Sequence, residues 1–214
     1  MRRGSTSERP EPRSVRLRLI RDAAHTREVV EAGILSARIS VWISTANLKD
    51  VHVEAPVGTR ARASGRYVSL FEELQRLAAS GVEVRILHAG VPSRALRARM
   101  AGSREKGGKG GVGRGVEMRC CPRVHQKIVA VDGKLLYLGS ANLTGAGLGA
   151  KGEGRRNFEL GIVTDDDLML DAAQGGMDDI WRGRHCGTCR LRSQCPLPLD
   201  GIERSRAGGR SKGK

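Results

Sequence analysis

Apolar positions along this chain fall into short blocks whose spacing switches between two and about 3.6 residues, the marks of strands and of helices. Residues 15–20 alternate apolar side chains with arginine and read as a strand. Residues 24–37 carry helical spacing, and Ile39-Ser-Val-Trp-Ile43 follows as a buried strand. Residues 45–67 show no settled period and form a connection. Over residues 67–80, Leu70, Phe71, Leu74, Leu77 and Ala78 fall on one stripe of a helix. Ser80-Gly81 ends that helix, and residues 82–87 alternate as the next strand. Further along, residues 116–120 lead into two apolar runs, Lys-Ile-Val-Ala-Val131 and Lys134-Leu-Leu-Tyr-Leu138. Asp132-Gly133 joins them, the pair that supplies the positive φ angles of a tight hairpin turn. Residues 158–164 make a further strand. Residues 165–182 read as a helix, with three aspartates favouring its N-terminus.

The segments between these blocks differ in composition. Residues 1–13 are polar, contain two prolines and are expected to be disordered. Residues 101–115 are basic and glycine-rich, and a mobile loop is expected there. They lack the Gly-Lys-Ser/Thr ending of a phosphate-cradling P-loop. Residues 145–156 are a second basic, glycine-rich stretch, and residues 201–214 form a basic tail of low complexity, also expected to be disordered. The 214 residues suit one domain with attached segments, and aromatics at 3% leave its core to aliphatic side chains.

Charge narrows the range of partners. Against 23 Asp+Glu stand 38 Lys+Arg, a net charge of +15, which points to a polyanion, nucleic acid first and an anionic membrane surface second. No segment approaches the ~20 apolar residues that span a bilayer. The first residues carry positive charge with no apolar stretch behind them, so no secretory signal is read and a cytoplasmic location is expected.

The chemistry concentrates in one block: His125 and Lys127, then Asp132, then Ser140 and Asn142. Alternation along a strand puts His125 and Lys127 on one face, and Ser140 and Asn142 on one face if the chain stays extended past Gly139. An imidazole, an ammonium and an amide converging on one point suit a tetrahedral oxyanion such as a phosphodiester. Asp132 is explained by the turn alone, so its role in the block is a supporting one.

This block resembles the HxKxxxxD…GSxN signature of the phospholipase D superfamily, with every fixed position filled. Asn157-Phe158-Glu159 is similar to the NxE segment that follows the signature in nucleases of that family. The resemblance implies an α/β fold, a phospholipase D-like mixed β-sheet flanked by helices, with the domain over residues 14–183. It also implies attack by neutral His125 on phosphorus, a covalent phosphohistidine, and a second, protonated histidine that gives its proton to the leaving oxygen. Lys127, Asn142 and Ser140 would bind the nonbridging oxygens, and Glu159 would hydrogen-bond the imidazole. The chain has one copy of the motif. Of His25, His52, His88, His125 and His185, only His125 has a lysine two residues on. A twofold homodimer would supply the second histidine. No carboxylate cluster for Mg²⁺ lies near the motif, so catalysis is expected to need no cofactor.

A separate feature follows the domain. Cys186, Cys189 and Cys195 cluster within residues 184–200, and Cys120 or Cys121 is available as a fourth ligand. In an intracellular protein such spacing reads as a metal site before disulfides. A structural [4Fe–4S] cluster and zinc, the latter with His185 as a possible ligand, both fit. Three functions remain in view: a metal-independent nuclease, a phospholipase D-type lipid phosphodiesterase, and a nucleic-acid-binding module with a vestigial site.

Overall fold

The computed structural model describes residues 11–106 and 115–201. The chain runs through β1 (Arg18–Arg21), β2 (Ser40–Thr45), β3 (His52–Glu54), α1 (Arg60–Ala63), β4 (Tyr67–Ser69), α2 (Leu70–Ala79) and β5 (Glu83–His88). Then follow α3 (Arg94–Lys106), β6 (Glu117–Cys120), β7 (Ile128–Val131), β8 (Leu135–Gly139), β9 (Leu160–Thr164) and α4 (Asp167–Trp181). Seven strands make one mixed sheet in the order β1-β9-β8-β7-β2-β5-β6, and β3 with β4 forms a separate ribbon. β2, β5 and β6 run parallel, and the other pairs of the large sheet are antiparallel.

Alternation along the strands divides the core into two layers. Val41 and Ile43, Val84 and Ile86, Val129 and Val131, and Tyr137 face one side, where Leu70, Leu74 and Leu77 of α2 cover them. Ile128, Ala130 and Leu136 face the other, beneath Leu170 and Met177 of α4. β7 lies mid-sheet and is buried on both faces, which is why its four residues read as an unbroken apolar run. The end of α4 is fixed by stacked cations: Arg85 lies 4.4 Å from the Trp42 ring centroid and 5.4 Å from that of Trp181, and Arg119 lies 4.5 Å from the latter.

Several boundaries differ from those the sequence predicts. The helix expected over residues 24–37 is a wide turn of π-helix, Thr26–Glu31, then a short 3-10 turn, Ile34–Ser36. Gly33 stands at the break, and only glycine fits there: a Cβ would meet the Val29 carbonyl oxygen at 2.5 Å. The helix expected from residue 67 starts at Leu70, because residues 67–69 pair with β3. Residues 101–106, expected in a mobile loop, continue α3. Arg13, expected in a disordered stretch, donates to Asp166 Oδ2 at 2.8 Å, and Asp166 caps α4 by accepting from Met169 N at 2.9 Å. The expectations for residues 1–10, 107–114 and 202–214 lie outside the described residues.

Candidate active site

Strand register assembles the motif. β7 pairs with β8 so that Ile128 faces Leu138, and β8 pairs with β9 so that Gly139 faces Gly161. One step beyond, Gly139 N donates to Lys127 O at 3.2 Å and Ser140 N to Leu160 O at 3.0 Å. The residues ahead of β7, those after β8 and those ahead of β9 therefore meet at one end of the sheet. It is also the carboxyl end of β2, where Ser44 pairs with Ile128. Ligands of open α/β sheets bind outside the carboxyl ends of parallel strands.

Individual side chains are held as follows. His125 and Lys127 precede β7, whereas alternation along the sequence places them on a strand. His125 is exposed, and Lys127 is half-buried with its Nζ donating to His125 O at 2.8 Å. Asn142 is anchored through its amide oxygen, which accepts from Asn47 N at 3.0 Å and lies 3.3 Å from Thr45 Oγ1. That arrangement leaves the Asn142 NH₂ group as the donor available to an anion. The Ser140 hydroxyl donates to Glu159 Oε2 and accepts from Leu160 N at 3.1 Å. Its single proton is thus committed to Glu159 and is not offered to a phosphate, a departure from the expected donor role.

Glu159 also accepts from Asn157 Nδ2 at 3.0 Å, so the NxE segment closes on itself and on Ser140. The expected bond to an imidazole is not made; the carboxylate is taken up by Ser140 and Asn157. The Glu159 backbone is clamped by Asp22, whose Oδ1 accepts from Glu159 N at 2.9 Å and whose N donates to Glu159 O at 3.0 Å. Asp132 lies apart from this group. The whole of β7, roughly 13 Å at about 3.3 Å per residue, separates it from Lys127. Its Oδ1 accepts from Ile39 N and Ser40 N at 2.8 Å each, and its Oδ2 from Arg38 N at 2.9 Å. Burial alone would push this carboxyl up. The three N–H donors and the charge of Lys134 outweigh that and hold it below the usual carboxylate range. Asp132 is a staple between the hairpin and β2, with no place at the carboxyl end.

Three positioning residues carry no motif signal of their own. Thr45 Oγ1 donates to Asn47 O at 2.8 Å and accepts from Leu143 N at 3.0 Å, holding the loop that carries Asn142. Asp22 is the second. The third is Tyr137, fully buried, whose hydroxyl accepts from Ala141 N at 3.1 Å. Burial pushes this phenol up to about 12, so it stays neutral. A lone polar aromatic in the run Leu-Leu-Tyr-Leu, two residues before Gly139, is the one hint the sequence carries. Of the alternative histidines, His25 is fully buried with Nδ1 on Asp22 O at 2.9 Å. His88 is buried with Nδ1 on Gly90 O at 2.9 Å, and burial pushes its pKa down, favouring the neutral ring.

The cysteines meet at the same end of the sheet. Cys120, Cys121, Cys186, Cys189 and Cys195 line one pocket, and His185 is exposed and is not part of its lining. None of the five is in a disulfide. No group of three or more His, Cys, Asp or Glu among the described residues is already arranged around a single metal ion.

The family model described as cardiolipin synthase, PLD-like domain, matches residues 30–181. The chain belongs to the phospholipase D superfamily. Its fold is similar to that of Nuc, a phospholipase D family member from Salmonella typhimurium, with a TM-score of 0.53 and 18% identity over 79% of this chain and 95% of that one. NucT from Helicobacter pylori matches with a TM-score of 0.45 and 18% identity over 78% of this chain and 95% of that one. TrmBL2, an archaeal chromatin protein, matches with a TM-score of 0.44 and 14% identity over 82% of this chain and 55% of that one. No curated protein sequence matches the chain. The matched residues of this phospholipase D-like domain end at Trp181, the last residue of α4, and leave the cysteine segment outside. No helix among the described residues is long and apolar enough to cross a membrane.

Proposed function

We propose that this phosphodiesterase of the phospholipase D superfamily cleaves nucleic acid without a metal ion, through a phosphohistidine at His125, in a site shared by two copies of the chain. The observation that carries the reading is the convergence of His125, Lys127 and Asn142 on one end of the sheet, with the Asn142 oxygen anchored and its NH₂ group free to donate. Neutral His125 attacks phosphorus and forms a P–N bond while the P–O bond to the leaving group breaks. The protonated His125 of the second copy gives its proton to that oxygen. Water then attacks the phosphohistidine, losing a proton to the second imidazole, and His125 is released. Lys127 and the Asn142 amide hold the negative charge of the nonbridging oxygens through both steps, the work a metal ion does in other phosphodiesterases. Burial takes His25 and His88 out of consideration as the acid, which leaves the exposed His52 and His185 as the alternatives to a partner chain.

The net charge of +15 supports a nucleic-acid substrate. A second reading, a lipid phosphodiesterase, draws on the family model's description and on Phe158, which is 98% exposed beside Glu159 and suits an apolar surface. One assay separates them: labelled DNA, RNA and phosphatidylcholine, each in excess EDTA, with wild type and His125→Ala. Nucleic-acid cleavage in EDTA, lowered at least about 10⁴-fold in the variant, is expected. Turnover of phosphatidylcholine alone selects the lipid reading. Activity that EDTA abolishes and Mg²⁺ restores would overturn the mechanism.

A further inference from the structure

All five cysteines of this chain stand around one pocket, although 64 positions separate Cys121 from Cys186. Cys120 ends β6, and Cys121 begins the loop that reaches His125 four residues later. That loop is fixed by Cys121 N donating to His88 O at 2.8 Å and Val124 N to Cys121 O at 2.9 Å. Cys186, Cys189 and Cys195 come from the segment after α4. The wall they share is apolar, and Arg123 and Arg192 stand at it as cations that would offset thiolate charge.

The segment has little else to hold it. Within residues 184–199 the structure contains one three-residue 3-10 turn, Arg192–Gln194, and Leu199 is the single buried side chain. Ordering so many residues costs more conformational entropy than one buried leucine returns. Chains that lack core for a segment use disulfides or metals instead. No disulfide is present among these cysteines.

The donor set bears on which group the pocket would take. A single zinc ion needs four ligand atoms within about 2.3 Å of one point. His185 is exposed and is not part of the lining, so a metal here would take its protein ligands from the cysteines alone. A four-iron cluster takes one thiolate at each of four separate irons, so its ligands stand further apart around a larger body. Five cysteines and no histidine or carboxylate line the pocket, a donor set that suits an all-thiolate cluster. Between the two candidates for the fourth ligand, Cys120 Sγ donates to Ala89 O at 3.3 Å, whereas Cys121 packs with Cys186 on the cluster of Leu87, Val124, Trp181 and Leu199.

We propose that this pocket holds a structural [4Fe–4S] cluster ligated by Cys121, Cys186, Cys189 and Cys195, which pins the C-terminal segment to the loop that carries His125. The full-length protein, purified without exposure to air, is expected to be brown. It should contain iron and acid-labile sulfide in equal amounts, with about four irons per chain. This reading comes from wild-type protein and depends on no variant folding. Cys121→Ser and Cys189→Ser should each lose the iron, and Cys120→Ser should keep it with unchanged circular dichroism. Two wild-type results overturn the cluster: one zinc per chain in a colourless protein, or five freely titrating thiols with no metal. Iron retained in Cys121→Ser but lost in Cys120→Ser would overturn the ligand assignment.

Discussion

Asp132 shows how one residue of a catalytic signature serves the fold. Its carboxylate accepts from three successive backbone N–H groups, of Arg38, Ile39 and Ser40. Asp132→Asn turns one oxygen into a donor that faces an N–H, and should cost about 2 kcal/mol. Urea unfolding measures the loss, and turnover of the folded fraction should stay near wild type. A large fall in kcat at unchanged stability would instead place Asp132 in the chemistry. The same carboxylate gives a pH dependence. Its pKa is lowered in the folded state, so the stabilisation is present above the unfolded value of about 4 and is lost as pH falls through the folded value. Asp132→Asn should therefore flatten the loss of stability on the acid side of pH 4 and leave the neutral range displaced by a constant amount.

At the scale of elements, the packing of β8 on β9 decides where Ser140 and Asn142 stand. The Tyr137 ring lies across the Gly139–Gly161 pair. A Cβ at Gly161 would meet Tyr137 Cε2 at 2.3 Å, and one at Gly139 would meet its hydroxyl oxygen at the same distance. Neither glycine is explained by φ; both are required by the ring. Gly161→Ala should cost about 2–3 kcal/mol by overpacking, read from the midpoint of urea unfolding. Tyr137→Phe keeps the ring but strands the buried Ala141 N–H, at about 1–3 kcal/mol. Because Ala141 sits between Ser140 and Asn142, that variant should also lower kcat at saturating substrate. Unchanged kcat would show that the hydroxyl only stabilises. The wide turn at residues 26–31 is followed by another such glycine, Gly33, where a Cβ would meet Val29 O at 2.5 Å.

At the scale of the molecule, the proposed chemistry needs two copies of His125 at one phosphate. The active species should sediment as a dimer at assay concentrations. A fully active monomer would overturn the shared site and turn attention to exposed His52. The net charge of +15 sets a second expectation: affinity for DNA or RNA should fall steeply with salt, as contacts to phosphates release counterions. A salt-insensitive affinity would favour the lipid reading.

Much of the architecture was legible along the chain. Short apolar blocks, alternating in β5 and unbroken in β7, located β2, β5, β7 and β8 to within two residues, because each buries at least one face in a continuous layer. Asp132-Gly133 located the hairpin, because both residues adopt positive φ, 54° and 62°. The spacing of His125, Lys127, Ser140 and Asn142 points to phosphodiester chemistry by itself. These signals are local: each is complete within about twenty residues. Four features are not local, and only the tertiary structure decided them. Glu159 is bonded to Ser140, not to an imidazole; Thr45 and Asn47 orient Asn142; Asp22 clamps Glu159; and Cys120 and Cys121 face the three cysteines beyond α4. In each, the partners lie far apart in sequence, and a register shift of one residue would turn the side chains away from one another. The pattern of residues determines which chemistry is carried, while strand pairing decides which groups touch.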